Sequence, residues 1–311
     1  MVEPSVQPLN IALGNYGLTK PLKTGQVPTG RLPLNYVPIE QIVPAMRRMC
    51  RGLEYDICEM AFTTYVCARA YGKPFTAIPV FVTRNFHHWA MFYNDKSGIR
   101  RPKDLEGRKV GVNRGYTVTT GLWARGILQN EYGVDLSKIT WIPTDDEHVA
   151  EFKGPANVDY RFKGRPMRDL LLSGEIDAAL GEVGVEAPEI KPLIPDAREA
   201  GFNYFRVTGI YPINHGVVVK NSVLKENPWV VDELGRAFDA AKAIYLKDLQ
   251  GAAGLSSWDK AAADNAAVVG DPFPFGIENN RKALEAITQF AADQGMVPRK
   301  FTVEELFQPF N

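Results

Sequence analysis

The sequence predicts an α/β protein of two lobes, the first interrupted by the second, with a ligand cleft between them. Three observations carry that expectation. Short β-type runs alternate with helix-like stretches from end to end, the pattern of sheets with mostly parallel strands. A polar linker, SGIRRPKDLEG, separates two strand-like runs near residue 100 and offers a first crossing between lobes. A later apolar run, GVVVK at 216–220, offers the strand that carries the chain back. At 311 residues the chain is long enough for two cores. The expected lobes are 1–105 with 214–311, and 106–213.

LNIALGNY (9–16) reads as the first strand, ending in a Gly-Asn-Tyr turn, and LPLNYVPI (32–39) as the second. Residues 39–50 place Ile42, Val43, Met46 and Met49 at helical spacing. YDICEM (55–60) and FTAIPVFVTR (75–84) are buried strands by composition, and AMFYN and KVGVN follow within 90–113. A helix is expected over 117–133, a strand over 139–144, and a helix running into the strand IDAAL by residue 180. Asn227-Pro228 supplies an N-cap and a first-turn proline for a helix over 229–249. Residues 278–295 are amphipathic through Leu284, Ile287 and Ala291, with Gly295 as the stop. Thr302 to Glu305 form a capping-box pattern opening a last short helix.

The composition is that of a globular protein, 45% hydrophobic and 23% charged. Thirty-six basic residues balance thirty-six acidic ones, so no global field attracts nucleic acid or an anionic membrane. Neither partner is expected, and recognition of an anion falls to a local site. Cys50, Cys58 and Cys67 lack CxxC spacing, which argues against a disulfide framework or structural zinc. They read as reduced, buried small hydrophobes. The first residues show no basic stretch followed by a long apolar one, and no run of eighteen apolar residues occurs, so a cytoplasmic location is expected.

Ligands in open α/β sheets sit at the carboxyl ends of strands. Four segments there carry chemistry. Glu59 to Tyr65 combine a carboxylate with Thr63 and Thr64, which suits a polar ligand or, equally, a helix cap beside a solvated glutamate. Thr83 to Trp89 offer Arg84, able to take a carboxylate bidentately, and the pair His87 and His88. Adjacent residues point to opposite faces of a strand and no ligand-spaced partner accompanies them, so this is no metal signature and one of the two is structural. Arg114, Tyr116 and Thr117 stand between a strand and a helix, where free N–H groups favour an anion, although every such junction has them. Tyr211 to Gly216 place His215 at the return crossing, as a cleft residue or as a satisfied structural histidine. His148, within DDEHVAEF, reads as a solvated helix-face residue. No GxSxG, P-loop, GxGxxG or HExxH pattern is present. The residues alone lead to a cleft for a small anion, with histidine acid–base chemistry as an option.

At these same segments the chain resembles the 4,5-dihydroxyphthalate decarboxylase family, itself similar to type II periplasmic binding proteins and to the thiamine-pyrimidine-synthesis group. The resemblance runs from about residue 9 to 309 and rests on YDICEMAFTTY, FTAIPVFVTRNFHH, SGIRRPKDLEGRKVGV, LWARGILQNEYGV, SGEIDAAL, RVTGIYPINHGVVV, DPFPFGIENNRKALE and FTVEELFQP as a set. It implies the bilobal fold, a cytoplasmic homo-oligomer, and decarboxylation of a dihydroxylated phthalate to protocatechuate with no organic cofactor. It also points to His88 and His215 as sharing the acid and base roles. In that scheme Glu59 orients an imidazole or binds a catechol hydroxyl, and Arg84 with the Arg114–Thr120 turn holds the retained carboxylate. The chain departs from the family pattern at GEVGVEAPEIKPLIPD (181–196), where an arginine-containing loop is expected. The competing classes are a non-catalytic solute-binding protein for a small organic acid, and a pyrimidine-synthesis-type enzyme consuming its own histidine with an iron requirement.

Overall fold

Runs of valine, isoleucine and alanine make two five-stranded sheets, one in each of two units. The computed structural model describes residues 7–184, 187–251 and 255–308. Among these, the first unit takes residues up to Asn85, Ile213–Leu284, and those from Thr302 on. The second takes Phe86–Pro212 and Glu285–Phe301.

In the first unit, β1 (Leu9–Ala12) pairs in parallel with β2 (Leu34–Tyr36) and β3 (Ile57–Ala61). The short α1 (Lys20–Lys23) follows β1, and α2 (Ile42–Gly52) joins β2 to β3. α2 buries Ala45, Met46, Met49 and Cys50, the stripe its spacing predicts, and ends at Leu53 in the left-handed region. β3 passes directly into α3 (Phe62–Ala70), and β4 (Phe75–Arg84) follows. The sheet order is β2-β1-β3-β10-β4, so β10 (Ile213–Lys220) enters between β3 and β4 and is antiparallel to both. The carboxyl ends of β1 to β4 and the start of β10 therefore share one edge. The core packs Ile11, Ile57, Val80, Val82, Val217 and Val219 against Val230, Leu234 and Phe238 of the long helix over 230–251. Each such fully buried side chain contributes about 1.5–3 kcal/mol over an exposed one.

In the second unit the order is β7-β6-β8-β5-β9. β5 (Met91–Asn94) runs antiparallel to β8 (Ala178–Leu180) and β9 (Ile190–Pro192), while β6 (Lys109–Val112) is parallel to β7 (Thr140–Pro143) and β8. Between these strands lie α4 (Thr119–Asn130) and α5 (Met167–Ser173), and α6 (Ala197–Thr208) follows β9. Ile142, Met167, Leu170, Leu171 and Ile176 form a core under α5.

Back in the first unit, α7 (Asn221–Glu226) follows β10, α8 (Val230–Gly251) is the long helix, and α9 (Ser257–Val269) comes next. The last helix, α10 (Arg281–Asp293), is followed by a single 3-10 turn over Glu304–Phe307.

Three expectations are corrected. The chain leaves the first unit at Asn85 and not near residue 105, because β5 pairs with β8 and β9 of the second sheet. Residues 285–301 also belong to the second unit, where Phe290 packs edge-on against Trp123. The segment around His148 is not helical, and Glu147 beside it is buried. α6, β9 and α9 have no counterpart among the expected elements. In the departing 181–196 loop, residues 185 and 186 lie outside the described residues.

Candidate active site

Glu59 lies within β3 rather than in a loop, and its side chain is completely buried. Taking a carboxylate out of water costs several kcal/mol unless donors replace the lost hydration. Here they do. The Gly14 N–H donates to Oε2 at 2.7 Å and the Tyr16 hydroxyl to Oε1 at 3.0 Å. His215 Nδ1 lies 2.6 Å from the same Oε1.

The segment that delivers two of those donors is Gly14-Asn15-Tyr16-Gly17. The Tyr16 ring folds back over the end of β1, so close that a Cβ on Gly14 would sit 2.5 Å from it. Gly17 is as constrained, since a Cβ there would stand 2.1 Å from the Tyr245 ring. Burial and the neighbouring Glu59 push the Tyr16 hydroxyl far above the ordinary phenol range, so it stays a donor. Lys23 donates to the Leu13 carbonyl and to Asn15 Oδ1, both at 2.7 Å. Burial draws its ammonium below the usual lysine range, and Glu59 opposes that shift.

The sequence places His215 in a loop at the return crossing, but β10 begins at Ile213 and takes it into the sheet. There it stands between Ala61 of β3 and Thr83 of β4, with the irregular register of a bulge on the β4 side. Side chains paired across neighbouring strands share a face, and Glu59 is two residues from Ala61 on that face. A carboxylate on Nδ1 fixes the imidazole's orientation and directs Nε2 away from Glu59. The side chain retains 19% exposure, so the imidazole is not sealed into the core as Glu59 is.

Beside this group the first unit holds a cavity of about 710 Å³, lined in part by Tyr16, Lys23, Thr83, Arg84 and Trp258. The size suits a small organic ligand. Arg84 is buried at the end of β4, and its guanidinium donates to Asn280 Oδ1. Asn280 is fixed in turn, giving its amide protons to the carbonyls of Pro274 at 2.8 Å and Gly276 at 2.7 Å. The DPFPFGIENN stretch thus acts as a bracket for Arg84. Thr63 and Thr64 stand buried in the first turn of α3.

The remaining expected residues belong to the second unit. His88 opens a 3-10 turn before β5, wholly enclosed, with Nε2 2.9 Å from Glu131 Oε2 and its ring 5.6 Å from that of Tyr204. Nδ1 of His88 has no hydrogen-bond partner among the described residues. The turn before α4 is already supplied with an anion. Tyr116 N–H donates to Glu147 Oε1 at 2.5 Å, and Thr117 gives Oε2 both its N–H, at 3.1 Å, and its hydroxyl, at 2.6 Å. Tyr160 adds a hydroxyl at 3.1 Å. Gly115 makes the room, since a Cβ there would lie 2.6 Å from Glu147 Oε2. Beneath, the enclosed Arg125 stacks on the Tyr116 ring at 3.9 Å and donates to the Tyr116 carbonyl at 2.8 Å. The donors expected to hold a ligand at Tyr116 and Thr117 are therefore committed to Glu147. Arg114 is exposed with a positive φ of 73°, its N–H donating to Thr144 Oγ1 at 3.1 Å.

The structure thus brings Glu59 and His215 into contact and sets Arg84 on the cavity beside them. Sequence reasoning missed Tyr16, Lys23 and Glu147. The Gly-Asn-Tyr-Gly turn was a signal for Tyr16, since two glycines flanking an aromatic mark a close backbone approach. No local pattern announces Glu147, whose partners lie about thirty residues away.

Comparison with known proteins agrees with the motif reading. A Comamonas testosteroni protein named 4,5-dihydroxyphthalate decarboxylase is 29% identical over 97% of this chain and 96% of its own. The chain resembles the 4,5-dihydroxyphthalate decarboxylases. A second protein of that name, from Pseudomonas putida, is 29% identical over 64% of this chain and 81% of its own. A family model described as NMT1/THI5 like matches residues 55–164. Among solved structures, the periplasmic aliphatic sulphonate binding protein of Escherichia coli superposes with a TM-score of 0.54 at 14% identity, covering 99% of this chain and 94% of that one. The fold is that of the periplasmic binding proteins, as the decarboxylase resemblance implied.

Among the described residues, no three His, Cys, Asp or Glu side chains are grouped to hold a metal ion, and no helix is long and apolar enough to cross a membrane.

Proposed function

We propose that this protein decarboxylates a dihydroxylated aromatic dicarboxylate, 4,5-dihydroxyphthalate or a close analogue, by acid catalysis at His215 without a cofactor. The observation that carries the reading is the buried Glu59, held by Gly14 and Tyr16 and set 2.6 Å from His215 Nδ1. A buried carboxylate in that position fixes the imidazole's orientation and aims its Nε2 at the ligand.

The net change is Ar–COO⁻ + H⁺ → ArH + CO2, so one proton is consumed. His215 gives its Nε2 proton to the ring carbon that bears the carboxylate. The hydroxyl para to that carbon takes up the resulting positive charge through its oxygen lone pair. The carbon–carboxylate bond then breaks, its electron pair restores the aromatic ring, and CO2 leaves. Solvent returns the proton to His215. Arg84 and Lys23 supply positive charge along the cavity for the retained carboxylate. One histidine suffices for this balance. His88, enclosed and paired with Glu131, is assigned to holding its own turn rather than to proton exchange with the ligand.

General acid catalysis is worth roughly 10²–10⁴-fold. His215→Asn is expected to lower kcat by about that factor while leaving the affinity for protocatechuate nearly unchanged, read by CO2 release and by calorimetry. Equal losses in turnover and affinity would reduce His215 to a binding residue. The fold of the sulphonate binding protein favours a second reading, capture of an organic acid without chemistry. Binding of 4,5-dihydroxyphthalate with no CO2 release from the unmodified protein would establish it.

A further inference from the structure

Trp258 is a large aromatic side chain at the surface of the first unit. It is 53% exposed, one of three large hydrophobic side chains so placed among the described residues. Its position is nevertheless fixed. It is the second residue of α9, whose start is pinned by Ser256 Oγ accepting the Asp259 N–H at 3.2 Å and donating to Asp259 Oδ2 at 2.6 Å. Tyr245 donates to the other oxygen of Asp259 at 2.6 Å, which ties that turn to α8. The indole therefore stands on a rigid base at the side of the cavity, its ring 6.1 Å from that of Tyr16 and tilted by 60°. Tyr16 is the residue whose hydroxyl holds Glu59.

A second observation points to a ligand in the same space. Thr83 lines the cavity and is the cross-strand neighbour of His215. Its hydroxyl is buried with no hydrogen-bond partner among the described residues. A buried hydroxyl left unpaired costs about 1–3 kcal/mol, a cost that a polar ligand group removes. A cavity lined by an indole, an unpaired hydroxyl and a lysine suits a planar ring carrying acid and hydroxyl groups.

We infer that Trp258 is a specificity-determining residue, the wall on which the cavity selects planar aromatic acids over saturated ones. The inference rests on the reading that the cavity beside Glu59 and His215 takes an aromatic acid, and it names what makes the acid aromatic. Ring against indole is worth roughly a two- to tenfold gain in affinity over equal apolar area.

The test compares phthalate with cis-cyclohexane-1,2-dicarboxylate by calorimetry on the full chain. The two acids carry the same pair of carboxylates, and phthalate has no hydroxyl to drive decarboxylation. The unmodified protein is expected to prefer phthalate by roughly two- to tenfold. Trp258→Phe retains the preference, and Trp258→Leu, which keeps bulk without a π face, abolishes it. Equal weakening of both acids in Trp258→Leu, no preference in the unmodified protein, or binding of neither acid would each overturn the inference. The two proposals separate cleanly. If Trp258→Leu decarboxylates 4,5-dihydroxyphthalate with an unaltered KM, the reaction stands and the wall falls. If phthalate is bound selectively but dihydroxyphthalate releases no CO2, the wall stands and the reaction falls.

Discussion

Glu59 in the first unit and Glu147 in the second are both buried carboxylates near the carboxyl ends of their strands, each surrounded by donors, but the company differs. Glu147 takes two backbone N–H groups and the hydroxyls of Thr117 and Tyr160, and it lies near the enclosed Arg125. Three of these four donors belong to the turn before α4, so the charge is spent on holding that turn in place. Glu59 takes one backbone N–H and one hydroxyl, and its remaining partner is a histidine with a nitrogen to spare. The difference teaches how a fold separates structure from chemistry. A carboxylate whose donors are all fixed is an anchor, whereas one that shares its oxygen with an imidazole can support a proton transfer.

The contrast can be broken from either side. Glu147→Ala strands several buried donors and removes a countercharge from Arg125. At about 1–3 kcal/mol for each unpaired group, the loss of stability should be at least about 3 kcal/mol, read as a falling denaturant midpoint. Should that variant instead unfold as the unmodified protein does, Glu147 would be no anchor. Tyr16→Phe acts more gently. It removes one hydrogen bond to a charged acceptor, worth about 1.5–3 kcal/mol, and should reduce turnover well short of the His215→Asn loss. A deficit as deep as that of His215→Asn would move the proton-transfer role to Tyr16.

The smallest effect concerns a half-buried carboxylate near the surface of the second unit, which marks the far end of the comparison. Glu106 is held by Lys103, the Asp135 N–H and Lys138, which draw its carboxyl down from 4.5 to about 2. A carboxyl whose folded value lies below its unfolded one stabilises the fold above the unfolded value. The contribution is therefore present at neutral pH and fades as pH falls from about 4.5 toward 2. Glu106→Gln should melt slightly lower at pH 7 and coincide with the unmodified protein near pH 2. A gap that widened on acidification would contradict the assignment.

How much of this was legible depended on whether the signal was local. β4 was read with its full bounds at 75–84 because, although it closes one side of the sheet, it is buried along its length and composed accordingly of apolar and β-branched residues. β10 was read only from Gly216, since Asn214 and His215 are polar, and their place in the strand is set by Glu59 on a neighbouring strand far away in sequence. α9 was missed because SWDKAAADNAAVV buries alanine and asparagine and offers no large apolar stripe to count. The anion-binding character of the Arg114–Thr120 turn was legible from strand-then-helix order. That its anion would be the chain's own Glu147 was not, because the pairing exists only once β7 lies beside β6.

The position of β10 has a kinetic consequence. This strand completes the first sheet, yet it follows β4 by more than 120 residues, and its neighbours β3 and β4 are otherwise not joined to one another. During synthesis, β3 and β4 must wait with facing edges of unpaired N–H and C=O groups until residues 213–220 emerge, an arrangement that folds slowly and invites strand addition from other chains. His215 arrives with that same strand. The Glu59–His215 contact and the closure of the sheet are thus one folding event, so a chain arrested before Ile213 would lack both the proposed proton donor and its protection against aggregation.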